Sequence, residues 1–259
     1  MTDERLARIA ARGRRAGLFL DFDGTLSEVV PVAADARPVE GAGDLLADLA
    51  RRLGVVAIVS GRSAHELVQW LGDGAEIWGV HGAQRAREGV VELSPAVRPY
   101  AGLMGEVLRR AEEAAGSLEG VDVEDKGIVV TLHWRAAADR DAARRDAMAL
   151  AGRLAESHEV TLAAGRMTIE LRPPVELSKA AVVLGRAREA NLDAVAFVGD
   201  DTVDLPAFDA LDELAAQGAL TLRVAVRSDE SPPELLERAD LVVDGPAGVI
   251  ELLHALARA

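Results

Sequence analysis

Short, unbroken apolar runs alternate along the chain with stretches whose apolar residues recur at helical spacing. Gly17–Leu20 is a run, Asp44–Leu53 has a helical period, Val55–Val59 is a run again, and Ala64–Leu71 is helical. Strand-helix alternation of this kind predicts a parallel sheet with helices on both faces. The rhythm returns late, with Ser178–Ala190 helical, Ala194–Val198 a strand, Leu205–Gln217 helical, Leu222–Val226 a strand, Pro233–Arg238 helical and Leu241–Val243 a strand. Asp21, Ser60 and Asp200 each stand just after a predicted strand. In a doubly wound sheet the carboxyl ends of the strands form the ligand crevice, so these distant segments are expected to meet at one rim.

Between Pro95 and Pro173 the pattern changes. A helical stretch, Tyr100–Leu118, precedes Val121–Asp125 and Ile128–Trp134, which are joined across Lys126-Gly127 like a hairpin. A second helix, Asp139–Ser157, leads to the pair Val160–Ala163 and Met167–Leu171, turning at Gly165. The segment reads as an inserted α/β cap of antiparallel strands with helices on one face. Prolines punctuate its ends, giving an α/β, Rossmann-like core from 1–94 and 174–259 and a smaller α/β cap from 95–173.

Composition narrows the partners. The formal net charge of −14 argues against nucleic acid or an anionic membrane surface, and a phosphate ligand must find local positive charge. The absence of cysteine removes disulfides and thiolate catalysis, and five scattered histidines argue against zinc. The apolar run before Asp21 is too short for a signal peptide, and nothing approaches the ~20 apolar residues of a membrane span. A cytoplasmic monomer is expected.

The run Leu18-Phe19-Leu20-Asp21-Phe22-Asp23-Gly24-Thr25-Leu26 carries the chemistry. In extended backbone the Asp21 and Asp23 carboxylates point to one side and Phe22 to the other. Two crowded carboxylates call for a cation, and Mg²⁺ is the natural one, since it prefers carboxylate oxygen and keeps waters to exchange for phosphate. The Gly24-Thr25 turn is expected to bare N–H groups as an anion nest. Asp-x-Asp-Gly-Thr-Leu after an apolar strand resembles the first motif of the haloacid dehalogenase superfamily of phosphotransferases.

Three further segments match that superfamily in order. The Ser60 hydroxyl and nearby N–H groups suit phosphoryl oxygens, and Arg62 suits phosphate or sugar oxygens. Lys179, at the entry of a helix, can pair with Asp21 and the phosphoryl group. In Gly199-Asp200-Asp201 an acidic turn continues to Asp204; Asp200 is expected as a direct metal ligand with Asp21 and Asp23, and Asp201 or Asp204 as support. His81 reads as a loop-bracing residue.

Within the superfamily, Trp78-Gly79-Val80-His81-Gly82-Ala83, Glu124-Asp125-Lys126-Gly127, Leu132-His133-Trp134-Arg135 and Glu170-Leu171-Arg172-Pro173 resemble the trehalose-6-phosphate phosphatases. That likeness implies Mg²⁺-dependent hydrolysis of a sugar phosphate through an aspartyl phosphate on Asp21, with Asp23 as acid and base. Glu124, Lys126 and Glu170 then offer acceptors and a donor to sugar hydroxyls, and Arg135 reaches the substrate phosphate or braces Glu124. A phosphatase for sucrose 6-phosphate, a glycosyl-phosphoglycerate or another phosphorylated sugar is the alternative, and a non-catalytic sugar-phosphate binding module is a more distant one. The family's last motif reads Gly-Asp-Asp-x-Thr-Asp-Glu; here Val203 and Leu205 replace the Thr and Glu, and Ala180 stands at a common Gly.

Overall fold

The computed structural model describes residues 4–30, 35–165 and 167–259. It divides into two compact units, Met1–Glu92 with Leu177–Ala259, and Leu93–Glu176, against sequence boundaries placed at 95 and 173.

The first unit is built on six parallel strands in the order β12-β11-β10-β1-β2-β3, extended by β4 and β5. These are β1 (Ala16–Leu20), β2 (Val55–Val59), β3 (Glu76–Gly79), β4 (Gln84–Arg87), β5 (Val90–Leu93), β10 (Ala194–Gly199), β11 (Leu220–Arg227) and β12 (Leu241–Asp244). Strands β1, β2 and β10 are buried at every position, as their unbroken apolar runs require. Their alternation splits the core in two. Leu18, Leu20, Val56, Ile58, Ala196 and Val198 join one cluster with residues of α1 (Glu4–Ala10), α2 (Ala42–Arg52), α3 (Ala64–Leu71) and α9 (Gly245–Arg258). Phe19, Val55, Ala57, Val59, Val195 and Phe197 join the other with α6 (Lys179–Glu189), α7 (Leu205–Ala216) and α8 (Pro233–Arg238). Phe197 meets Phe208 of α7 edge to face at 6.3 Å, a geometry that adds about 1 kcal/mol to the burial of the two rings.

Strands β3, β4 and β5 and helices α1 and α9 are not signalled by the apolar pattern. β3 alternates half-buried with buried residues instead of forming a run. α9 opens on Gly245-Pro246, which reads as a turn, yet proline fits a helix's first turn because no N–H is needed there.

The second unit pairs α4 (Ala101–Ala115) and α5 (Arg140–Ser157) with an antiparallel sheet, β6-β7-β9-β8. Its strands are β6 (Asp122–Asp125), β7 (Val130–His133), β8 (Thr161–Gly165) and β9 (Thr168–Arg172). Leu132, Ile169 and Leu171 are buried, as are Met104, Val107, Leu150 and Leu154 of the helices. β8 runs through Gly165 rather than turning there, and Met167 takes the left-handed turn conformation (φ 60°).

Candidate active site

β1 lies between β10 and β2, so the chain order reverses there and the residues after the three strands become neighbours. Asp21 N–H donates to Val198 O at 2.9 Å, extending the ladder one residue past β1. Strand parity then puts Asp21 on the same face as Phe19, toward α6, whose first residue is Lys179. Lys179 Nζ lies 2.7 Å from Asp21 Oδ2 and 2.6 Å from Asp204 Oδ1, and its side chain is 2% exposed.

Asp204 is buried and holds the acidic turn together. Its Oδ2 accepts the N–H of Asp200 at 2.9 Å and of Asp201 at 3.2 Å. A Cβ on Gly199 would overlap the Asp204 carboxyl group, so that glycine makes room for this carboxylate. Asp201 caps the turn by accepting Thr202 N–H at 2.6 Å.

Carboxylate oxygens of Asp21, Asp200 and Asp204 lie within 4.8 Å of one another, a group able to hold a metal ion. The Asp23 carboxylate stands outside this group and is turned to Arg62, with Arg62 Nε donating to Oδ2 and Nη2 donating to Oδ1, both at 2.8 Å. Asp200 Oδ1 is buried with no hydrogen-bond partner. Such an orphan is costly in a dry site and fits a hard divalent cation that prefers carboxylate oxygen. Three carboxylates face one ammonium, so the cluster needs a further cation or a proton. Burial pushes Asp21 up to about 7 against the pull of Lys179, and burial with the charges of Asp21 and Asp204 pushes Asp200 up to about 8. Burial opposes the Lys179 charge, but Asp204 and Asp21 hold its ammonium well above the usual lysine range.

A pH dependence follows. Below the unfolded value of 3.8 both states are protonated; as pH rises toward 7 and 8 only the folded state still binds the protons, and the stability they contribute is lost across that window. A divalent cation held by the same carboxylates would replace them. At a hundredfold excess over its Kd, such a cation is expected to raise Tm by roughly 5–10 °C near pH 9 and by much less near pH 5. Equal shifts at both pH values, measured by thermal denaturation, would refute the assignment.

The expected anion nest is not formed. Gly24 N–H donates to Ser27 O at 2.8 Å and Thr25 N–H to Phe22 O at 3.2 Å, so the turn's own bonds use them. Gly24 (φ 73°) serves by its missing side chain, since a Cβ would fall on the Asp200 carboxylate. Ser60 is buried, its N–H donating to Trp78 O at 3.0 Å and its Oγ accepting Arg62 N–H at 3.2 Å, with the hydroxyl hydrogen left to donate. The loop holding it is pinned by the turn after β3: Val80 N–H donates to Arg62 O at 2.8 Å and His81 N–H to Ser60 O at 2.9 Å. Val80 (φ 50°) and His81 (φ 54°) are left-handed, an outlying conformation for a β-branched valine. The His81 ring covers Gly61, where a Cβ would come within 3.0 Å. His81 therefore braces this loop.

In the second unit Glu124, Thr131 and Glu170 stand opposite one another across β6, β7 and β9. Lys126 Nζ lies 3.3 Å from Glu170 Oε1 and 3.8 Å from Glu124 Oε2. Two residues of the strings that carry the family resemblance, given no role of their own there, complete the cluster: His133 Nε2 at 2.7 Å from Glu124 and Arg172 at 2.5 Å from Glu170. The His133 hydrogen bond, with Lys126, holds Glu124 below the usual carboxylate range against its partial burial. The Thr131 hydroxyl is buried without a partner in the middle of this row. Arg135 is exposed just beyond β7, its carbonyl accepting from Arg140 Nε at 3.1 Å.

Comparison with known proteins identifies relatives of the chain. The trehalose-phosphatase family model matches residues 19–238. A trehalose-phosphate phosphatase of Mycobacterium avium is 33% identical over 254 residues, covering 95% of this chain and 63% of that protein. The chain thus spans somewhat less than two thirds of the length of that relative. Among solved structures, a trehalose-6-phosphate phosphatase related protein aligns with a TM-score of 0.75 at 23% identity, over 94% of this chain and 97% of the other. A haloacid dehalogenase-like hydrolase from Bacteroides thetaiotaomicron aligns at 0.59 and 16% identity, over 92% and 98%. These two show the fold.

Proposed function

The chain belongs to the trehalose-phosphatase family, and from that premise we propose that it hydrolyses trehalose 6-phosphate to trehalose and phosphate. The observation that carries the reading is the buried cluster of Asp21, Lys179, Asp200 and Asp204 at the sheet's carboxyl edge, with Asp200 Oδ1 unsatisfied. Asp21, Asp200 and Asp204 would hold Mg²⁺, which when bound neutralises charge on the transferring phosphoryl group.

The rest is done by this chain's own side chains. Asp21 attacks phosphorus, the bond from phosphorus to the sugar oxygen breaks, and an aspartyl phosphate forms. Asp23 gives its proton to the departing sugar oxygen. It then takes a proton from the water that cleaves the acyl phosphate, releasing phosphate and restoring both carboxyl groups. Lys179 and the Ser60 hydroxyl donate to the phosphoryl oxygens as their charge grows. Glu124, Lys126 and Glu170 recognise sugar hydroxyls, and the second unit serves as a specificity cap. The sugar phosphate is the one partner this reading requires; a cytoplasmic monomer suits it. Among the described residues no helix is long and apolar enough to cross a membrane.

A related phosphorylated sugar is the second reading, favoured by Val203. Its side chain is an exposed apolar surface (49%) beside Asp204, where the family pattern has a hydroxyl. Phosphate release from trehalose 6-phosphate, sucrose 6-phosphate and glucose 6-phosphate, with Mg²⁺ and with EDTA, decides. Strong Mg²⁺-dependent release from the first alone is expected; release only from another ester keeps the mechanism and discards the substrate.

A further inference from the structure

Arg62 lies beside the reacting carboxylates, but it is not displayed as a phosphate ligand would be. Its Nε donates to Asp23 Oδ1 at 3.1 Å and Oδ2 at 2.8 Å, and Nη2 donates to Oδ1 at 2.8 Å. Nη1 lies 3.7 Å from Glu66. Two rings back the guanidinium, with its carbon 5.6 Å from the centroid of Phe22 and 5.1 Å from that of Trp70. The rings themselves stack 5.4 Å apart, and Arg37 lies over Trp70 at 5.3 Å. The Arg62 side chain is 10% exposed and that of Asp23 43%, so the arginine is the fixed member of the pair and the carboxylate the member on display.

We infer that Arg62 is a positioning residue for Asp23, held in place by Trp70, and not a ligand of the substrate phosphate; the inference rests on the phosphatase reading above. An exposed aspartate rotates freely about two torsions, and a proton donor out of line with the leaving oxygen forfeits most of its effect. The planar fork fixes both torsions at once, as a lysine's point charge does not. Of the two carboxylate oxygens, Oδ1 accepts two N–H groups and Oδ2 one, so Oδ2 keeps a lone pair for the proton passed to the sugar oxygen. Trp70 is in none of the phosphatase motifs. It acts two contacts away from the reacting atoms, through the guanidinium it packs against.

The test compares leaving groups. A sugar oxygen must be protonated to depart, whereas nitrophenolate departs without a proton. The variants are Arg62→Lys and Trp70→Leu, alone and combined with Asp23→Asn, and folding is checked by circular dichroism. Arg62→Lys keeps charge and stem, so the test survives if Trp70→Leu does not fold. On trehalose 6-phosphate both variants are expected to lower kcat about tenfold or more, with KM within about twofold of the parent. The first-turnover burst of nitrophenolate from p-nitrophenyl phosphate should fall several-fold less. Arg62→Lys should add little to the loss already caused by Asp23→Asn. A raised KM with kcat kept, equal losses on both esters, or full additivity with Asp23→Asn overturns the positioning role while leaving the phosphatase reading standing. Parent protein inactive toward both esters overturns that reading and this inference with it.

Discussion

Asp21→Asn is expected to lower sugar-phosphate hydrolysis by about four orders of magnitude or more while the protein stays folded. An amide cannot supply the electron pair that forms the acyl phosphate, and removing a nucleophile outright costs about as much as removing the whole reacting set. The fold should tolerate the change for three reasons. Asparagine is nearly isosteric with aspartate. Lys179 keeps Asp204 at 2.6 Å as its counter-charge. The burial that works against an ionised Asp21 no longer has a charge to oppose. Steady-state phosphate release and thermal denaturation on the same preparation check both halves. Residual activity of a few per cent, free of contaminating parent protein, would remove Asp21 from the nucleophile's place.

Much of this site was legible in the sequence because it sits where backbone regularities leave little choice. A run such as Val55–Val59 fixes a buried strand, a parallel sheet fixes which strand ends share a rim, and period-two alternation fixes that Asp21 faces α6 and Lys179. Asp200 follows from the same logic one strand away. The side-chain commitments were not legible. That Asp204 binds two N–H groups and Lys179, or that Arg62 pairs with a carboxylate 39 residues away, depends on torsions and packing outside any local pattern. Gly24 was signalled, but for the wrong reason. Its N–H is used within the turn, and what the site needs is the empty volume beside Asp200. His133 and Arg172 stand in the strings that carry the family resemblance without a role of their own: the His133 contact with Glu124 crosses from β7 to β6 and depends on register, which the hairpin length alone leaves open, whereas Arg172 reaches Glu170 two residues earlier on β9, a same-face spacing the sequence does show.

Lys179→Met should cost stability as well as turnover, and the two losses should separate. Among the described residues Lys179 is the sole side-chain cation bonded to Asp21 and Asp204, and all three side chains are under 10% exposed. Removing one member of a buried ionic group leaves the others uncompensated, typically at 3–5 kcal/mol, which in a chain of this size lowers Tm by about 10 °C or more. The deficit has a sign with pH. It should be largest at alkaline pH, where Asp21 is ionised, and shrink as pH falls through the range in which burial makes Asp21 take up a proton. Mg²⁺ should recover part of the lost Tm by supplying charge to the same carboxylates. The double variant Lys179→Met with Asp204→Asn should regain stability relative to Lys179→Met alone, because one buried charge fewer is stranded, yet regain no activity, because the phosphoryl oxygens still lack their donor. Thermal denaturation across pH with and without Mg²⁺, beside phosphate release, distinguishes this from a lysine that only packs. A packing lysine would give a deficit insensitive to pH, to Mg²⁺ and to the state of Asp204.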